Sequence, residues 1–227
     1  MRLVTIPAAL VLGVSLVACG TEAARAPLTL EQRVVGDAEA PGSEPDPDER
    51  QVTATGLEEL EATWDGPPVY EDDLNAIEDA GFVSAVLDTR FFPSEPGGDH
   101  IPRMSPHVFT AVYEFESEGG AEAALAVAHA IGLRPCHETC AYEITEFDPS
   151  GVPNAKGVQA VATEESIDRV GDDIDPDARY SVYFADGLFV YEVSVFGPPD
   201  AVSRQQVEEI AEKLYERVNG APLPDPS

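Results

Sequence analysis

The stretch Tyr180-Ser181-Val182-Tyr183-Phe184-Ala185-Asp186-Gly187-Leu188-Phe189-Val190-Tyr191-Glu192-Val193-Ser194-Val195-Phe196 decides the fold. Two runs rich in aromatic and β-branched residues flank Asp186-Gly187. Such runs favour extended backbone. Asp-Gly between them predicts a hairpin with a two-residue turn, both turn positions at positive φ. Strands joined this tightly are antiparallel. Alternation with a period of two sends the aromatic side chains to both faces of the sheet. One face packs on helices; the other either joins the core or lines a groove. In the groove reading, Tyr180, Tyr183 and Tyr191 are the candidate ligand-binding residues, for an amphiphile or a peptide.

Downstream of the hairpin, Ser203 and Gln206 form a capping-box pattern. Val207, Ile210, Ala211, Leu214 and Val218 then recur at helical spacing, with charged residues between them and Gly220 and Pro222 as stops. Upstream, Phe82–Phe92 reads as a strand with Val83, Ala85, Leu87 and Phe91 on one face. Val108–Phe115 reads as a second, with Phe109, Ala111, Tyr113 and Phe115 alternating. Gly119–Ile131 is an Ala-rich helix, and Leu74 and Ile77 belong to a short helix closed by Gly81. Tyr142–Phe147 and Gly157–Thr163 supply two more strands. The predicted order is α-β-β-α-β-β-β-β-α. Strands in runs with few helices between them indicate an α+β domain: an antiparallel sheet packed with helices, ending in a long C-terminal helix. Strand-strand-helix occurs twice, a possible pseudo-repeat.

The flanks read differently. The chain has 227 residues and a formal charge of −30, with 13 Lys and Arg against 43 Asp and Glu. A nucleic-acid partner is excluded, because phosphate contacts need clustered cations. A basic patch for anionic lipid is excluded on the same ground. Excess carboxylate also suits a saline habitat, where self-repulsion is screened. Residues 1–18 combine Arg2 with an apolar run too short to span a bilayer comfortably, as in a signal peptide. Residues 19–56 are acidic and Pro-rich, with Pro41, Pro45 and Pro47 among carboxylates, and read as a tether that buries little. Within it, Leu28–Val35 has the pattern of an edge strand. The folded domain spans 57–220, and 221–227 reads as a disordered tail.

The leader closes on Leu16-Val17-Ala18-Cys19. This resembles the lipobox of bacterial lipoproteins. The resemblance implies lipidation of Cys19, cleavage before it, and anchoring to the outer face of the cytoplasmic membrane, or to an outer membrane where one exists. Two acyl chains form a stable anchor. The mature chain resembles the extracytoplasmic α+β domains of actinobacterial lipoproteins and receptor-kinase sensor domains. It shares the acidic stalk, the helix-to-strand junction Ala80-Gly81-Phe82-Val83, the late hairpin and the terminal helix Ser203–Val218. That resemblance implies sensing of a ligand or partner at the cell surface and brings no site residues with it.

With Cys19 assigned to the lipid, Cys136 and Cys140 remain. Outside the cytoplasm such a pair is usually oxidised, and a five-residue loop can bring both within bonding range. A disulfide is therefore expected. The alternatives are a metal site adding His137 and His100 or His107, whose spacing matches no common zinc motif, and a redox pair, which normally has two intervening residues rather than three. Asp173, Asp175 and Asp177 imitate the start of a calcium loop, but Ala178 and Phe184 stand where Gly and Glu are needed. A solvated acidic loop is the preferred reading there. His129 falls on the polar stripe of the Ala-rich helix, as a surface residue. No Gly-x-Ser-x-Gly elbow, Gly-rich phosphate loop or His-Glu-x-x-His occurs, so no catalytic residue and no cofactor is assigned. The expected function is a non-enzymatic, surface-anchored sensing or partner-binding domain. A carrier holding a lipid or other small amphiphile beside the sheet is the alternative, and a hydrolase the third reading.

Overall fold

A computed structural model of the chain describes residues 27–47, 51–63, 68–93, 105–135, 142–163 and 178–219. The strands are β1 Glu44–Pro45, β2 Val52–Ala54, β3 Phe82–Phe91, β4 His107–Phe115, β5 Tyr142–Phe147, β6 Lys156–Ala162, β7 Ala178–Asp186 and β8 Phe189–Gly197. The helices are α1 Leu57–Thr63, α2 Glu71–Asp79, α3 Glu118–Gly132 and α4 Arg204–Val218. Among the described residues the strands form one antiparallel sheet in the order β1-β3-β4-β8-β7-β6-β5, with β2 also paired to β3. This is the α+β architecture expected, and its element order from α2 to α4 is the predicted one. No described helix is long and apolar enough to cross a membrane.

Both faces of the sheet are buried. On one, Val108 and Val112 of β4, Val182 and Phe184 of β7, and Tyr191, Val193 and Val195 of β8 pack against Val207, Ile210, Ala211 and Leu214 of α4. On the other, Ala85 and Leu87 of β3, Ala111, Tyr113 and Phe115 of β4, and Val190 of β8 pack against Leu60 of α1 and Ala121 and Ala124 of α3. The sheet is the middle of three layers, which requires consecutive strand residues to be apolar rather than alternating. The two strand-strand-helix units therefore place their helices on opposite faces. Each helix begins at a serine whose hydroxyl accepts from the third following backbone N–H: Ser117 from Gly120 at 3.1 Å and Ser203 from Gln206 at 3.3 Å.

Three expectations are corrected. The hairpin turn is Gly187-Leu188, because Asp186 already pairs with Phe189. Only Gly187 has positive φ, at +58°, the pattern of a two-residue turn with glycine first. With glycine in the first turn position taking the left-handed backbone, neither Asp186 nor Leu188 has to adopt it. Secondly, Val83 leaves the face of Ala85 and Leu87: the register slips between Phe82 and Ser84, and Val83 is 43% exposed. Thirdly, residues 27–47 are not tether. Leu30–Arg33 is a short 3-10 turn rather than an edge strand, and Val35 and Ala40 are each 1% exposed in the α4-side core. β1 and β2 lie end to end along the outer edge of β3.

Three arginines fasten this strap. Arg33 donates to the Tyr191 hydroxyl at 2.6 Å and lies 3.7 Å over the Phe189 ring. Arg90 donates to the Ser43 hydroxyl at 2.9 Å and pairs with Asp37. Arg217 of α4 pairs with Glu39 at 2.7 Å and donates to the carbonyls of Gln32 and Val34. In this cation-poor chain, several of the few cations are engaged inside the molecule. The composition argument missed this because Val35 and Ala40 stand among residues that otherwise signal solvation.

Candidate functional site

Beneath α3, the sheet carries a buried polar group where an apolar core is expected. Glu192 of β8 is 6% exposed. Its carboxylate accepts from the Tyr183 hydroxyl at 3.2 Å and from the Ser194 hydroxyl at 3.1 Å. Ser181 and Ser194 share a 2.7 Å bond. Because the Ser194 proton is given to Glu192, Ser181 is the donor in that pair. Burial pushes the Glu192 carboxyl above its ordinary value; the positive charge of Arg179 and the two hydroxyl donors oppose the shift. The same burial, with Glu192 nearby, pushes the Tyr183 and Tyr113 phenols well up, so both are neutral. Arg179 is anchored to the Gly132 carbonyl at 2.9 Å. Gly132 has no side chain for good reason: a Cβ there would lie 2.4 Å from the Tyr183 hydroxyl oxygen. Ser181 and Ser194 are closed to solvent, at 0% and 2% exposed, so the group holds a carboxylate in place rather than presenting a nucleophile.

Beside this network a pocket opens between the helices and the sheet. Its floor is Tyr113 and Phe115 of β4 with Val190 of β8. Its walls are Ala124, Ala128 and Ile131 of α3, Leu74 and Ile77 of α2, Leu60 and Glu61 of α1, and Val69. The enclosed space is small, about 30 Å³, and a shallow apolar cleft continues from it to the open mouth. The space arises from size: α3 turns alanines toward the sheet, and nothing fills what a larger side chain would occupy. The outer wall is pinned at α3. Arg134 pairs with Asp73 of α2 at 2.8 Å, donates to the Pro68 carbonyl at 3.1 Å, and lies over the Tyr70 ring. The guanidinium holds the Asp73 carboxyl below its usual range.

Tyr113 joins the two features. It lines the pocket and is 6% exposed, yet its hydroxyl has no hydrogen-bond partner among the described residues. Leaving such a group unpaired costs about 1–3 kcal/mol.

The tyrosines singled out from the hairpin lie elsewhere, and the groove expectation is corrected for them. Tyr191 is 0% exposed in the α4-side core, stacked on Phe184 at 4.6 Å, with Arg33 on its hydroxyl. Tyr183 is 1% exposed beneath α3, committed to Glu192. Tyr180 is half-buried against the α4-side core. None of the three lines the pocket. What sequence reasoning missed is Tyr113, although its place in the alternation of β4 was legible. The further signal was the run of alanines in α3, which face that alternation.

Cys19, Cys136, Cys140, Asp173, Asp175, Asp177, His100 and His137 lie outside the described residues. His107 stacks on Phe196 at 5.1 Å and approaches Asp46 at 3.8 Å. His129 is half-buried rather than on the surface: it packs edge-on against Tyr183, and burial lowers its pKa although Glu146 opposes this. Among the described residues, no three of His, Cys, Asp and Glu gather as a metal site.

No protein-family model and no curated protein matches the chain. Its fold is similar to that of the extracellular domain of PknH from Mycobacterium tuberculosis, with a TM-score of 0.51 and 16% identity over 86% of this chain and 98% of that one.

Proposed function

We propose that this chain is a non-enzymatic, extracytoplasmic binding domain, held at the membrane by a lipid on Cys19, which senses a small apolar ligand in the pocket under α3. The carrying observation is the pocket itself: an apolar cleft roofed by three helices, with a buried hydroxyl left unsatisfied at its floor. The fold it shares with the extracellular domain of PknH supports an extracytoplasmic reading, as does the leader ending at Cys19. A carrier uses the same pocket and differs only in releasing its cargo to an acceptor.

One mass-spectrometric experiment tests both halves. The protein is exported from a bacterial host that processes lipoproteins, then weighed under native and denaturing conditions. The denatured mass is expected to be that of residues 19–227 plus acyl groups; an unmodified mass overturns the anchor. The native mass is expected to carry an additional small molecule lost on denaturation. A bare native mass that stays bare after exposure to a membrane extract overturns the pocket as the sensing site.

A further inference from the structure

We propose that His129 is a pH switch: its neutral ring packs against Tyr183 beneath α3, and its protonated ring turns outward to pair with Glu146 of β5, moving the last turn of α3. The switch stands whether or not the cleft beside it holds a ligand.

The ring sits between two sets of neighbours. Inward, it lies edge-on to Tyr183, with ring centroids 6.1 Å apart. Its Nε2 is buried and has no hydrogen-bond partner among the described residues. Outward, a Glu146 carboxylate oxygen stands 3.9 Å from that nitrogen, too far for a hydrogen bond, on a side chain that is 63% exposed. The inward site suits a neutral imidazole. A charged one would be stranded there, because a buried charge without a partner is costly. The other groups around it supply no counter-charge. Lys156 of β6 opposes a second cation. Glu192 of β8 is engaged by Tyr183 of β7 and by Ser194, and Arg179 of β7 is held on the Gly132 carbonyl. On α3 itself, the residues three and four positions away in the helix and just beyond it are Leu125, Ala126, Gly132 and Leu133. Glu146 is the carboxylate within reach of a side-chain rotation.

The movement reaches the cleft through the helix. Ala128 and Ile131 flank His129 at the end of α3 and line the cleft. The same turn has little slack, since a Cβ on Gly132 would lie 2.4 Å from the Tyr183 hydroxyl oxygen. Burial lowers the His129 pKa below its ordinary 6.5, against the pull of Glu146. The folded chain therefore holds this proton less tightly than the unfolded chain. The stability of the inward state is whole above the ordinary value and is lost as pH falls through the folded one.

The test is an NMR titration, from mildly alkaline to acidic pH, of the chain from Gly20 to Ser227, which holds every described residue. The His129 imidazole is expected to titrate below 6.5, and the methyl signals of Ala128 and Ile131 to move with the same midpoint. In Glu146→Gln the His129 midpoint should fall further, because the counter-charge is gone. In His129→Gln the methyl movement at that midpoint should vanish, while any response to Glu192 persists at its own. Titration of His129 at 6.5 or above overturns the neutral buried ring. Methyl signals that ignore the His129 midpoint, or that still move there in His129→Gln, overturn the coupling to α3. An unchanged midpoint in Glu146→Gln overturns Glu146 as the partner in acid. Glu146 is exposed on the last strand of the sheet, so this variant reads the switch even where His129→Gln fails to fold.

Discussion

Burial makes the Glu192 proton hard to remove, against the opposing pull of Arg179 and of the Tyr183 and Ser194 hydroxyls that donate to it. The groups that face it are Tyr183 and Arg179 of β7, Tyr113 of β4 and Ser194 of its own strand; His129 of α3 packs against Tyr183. Burial raises its folded-state pKa above the ordinary 4.5, so the folded chain binds this proton more tightly than the unfolded chain. The stability it contributes is whole below the ordinary value and is lost as pH rises through the folded one. Glu192→Gln keeps an accepting oxygen and cannot ionise. It should match the native protein in acid and exceed it at neutral pH, read as urea midpoints at both. An equal difference at the two pH values would show that Glu192 does not titrate with folding. At this scale the sequence shows Glu192 as a polar position between Tyr191 and Val193. That the position lies under a helix, not in water, depends on which elements cover the sheet.

Among the elements, α4 and the strap of residues 27–47 form a reciprocal pair. Of the apolar stripe Val207, Ile210, Ala211, Leu214 and Val218, legible from spacing alone, the first four are 4% exposed or less and Val218 is half-buried against the same core. Arg217, one helical turn beyond Leu214, reads in sequence as part of the solvated face. In the fold it is 11% exposed and reaches back to Glu39, which is 4% exposed. The distance in sequence is 178 residues, beyond any local pattern. Arg217→Met strands the Glu39 carboxylate and should cost about 3–5 kcal/mol, measured by urea denaturation. Adding Glu39→Leu removes the stranded charge and should recover most of that loss. If the double variant is no better than the single one, the cost is lost packing rather than an unpaired charge.

For the whole molecule, the boundary at residue 57 drawn from composition is the expectation that fails most instructively. A chain starting at Leu57 would lose Val35, whose burial alone is worth about 1.5–3 kcal/mol, and would uncover the outer edge of β3. We expect it to unfold at a lower urea concentration than a chain starting at Gly20 and to self-associate in light scattering. Equal midpoints and a monomer would show the strap to be dispensable.

Period-two and period-3.6 patterns, serine caps and a glycine turn act over a few residues. The strand and helix order from α2 to α4, and with it the α+β class, was therefore determined by the sequence alone. Which face each helix covers, that both faces are covered, and that an acidic Pro-rich segment closes over one of them are set by contacts between residues far apart in the chain. The pocket belongs to that second group. It exists because the alanines of α3 stand opposite Tyr113 and Val190, a juxtaposition of three elements that no single stretch encodes. Tyr183 and Tyr191 were misplaced for the same reason: alternation assigns side chains to opposite faces, but only packing decides whether a face is core or cleft.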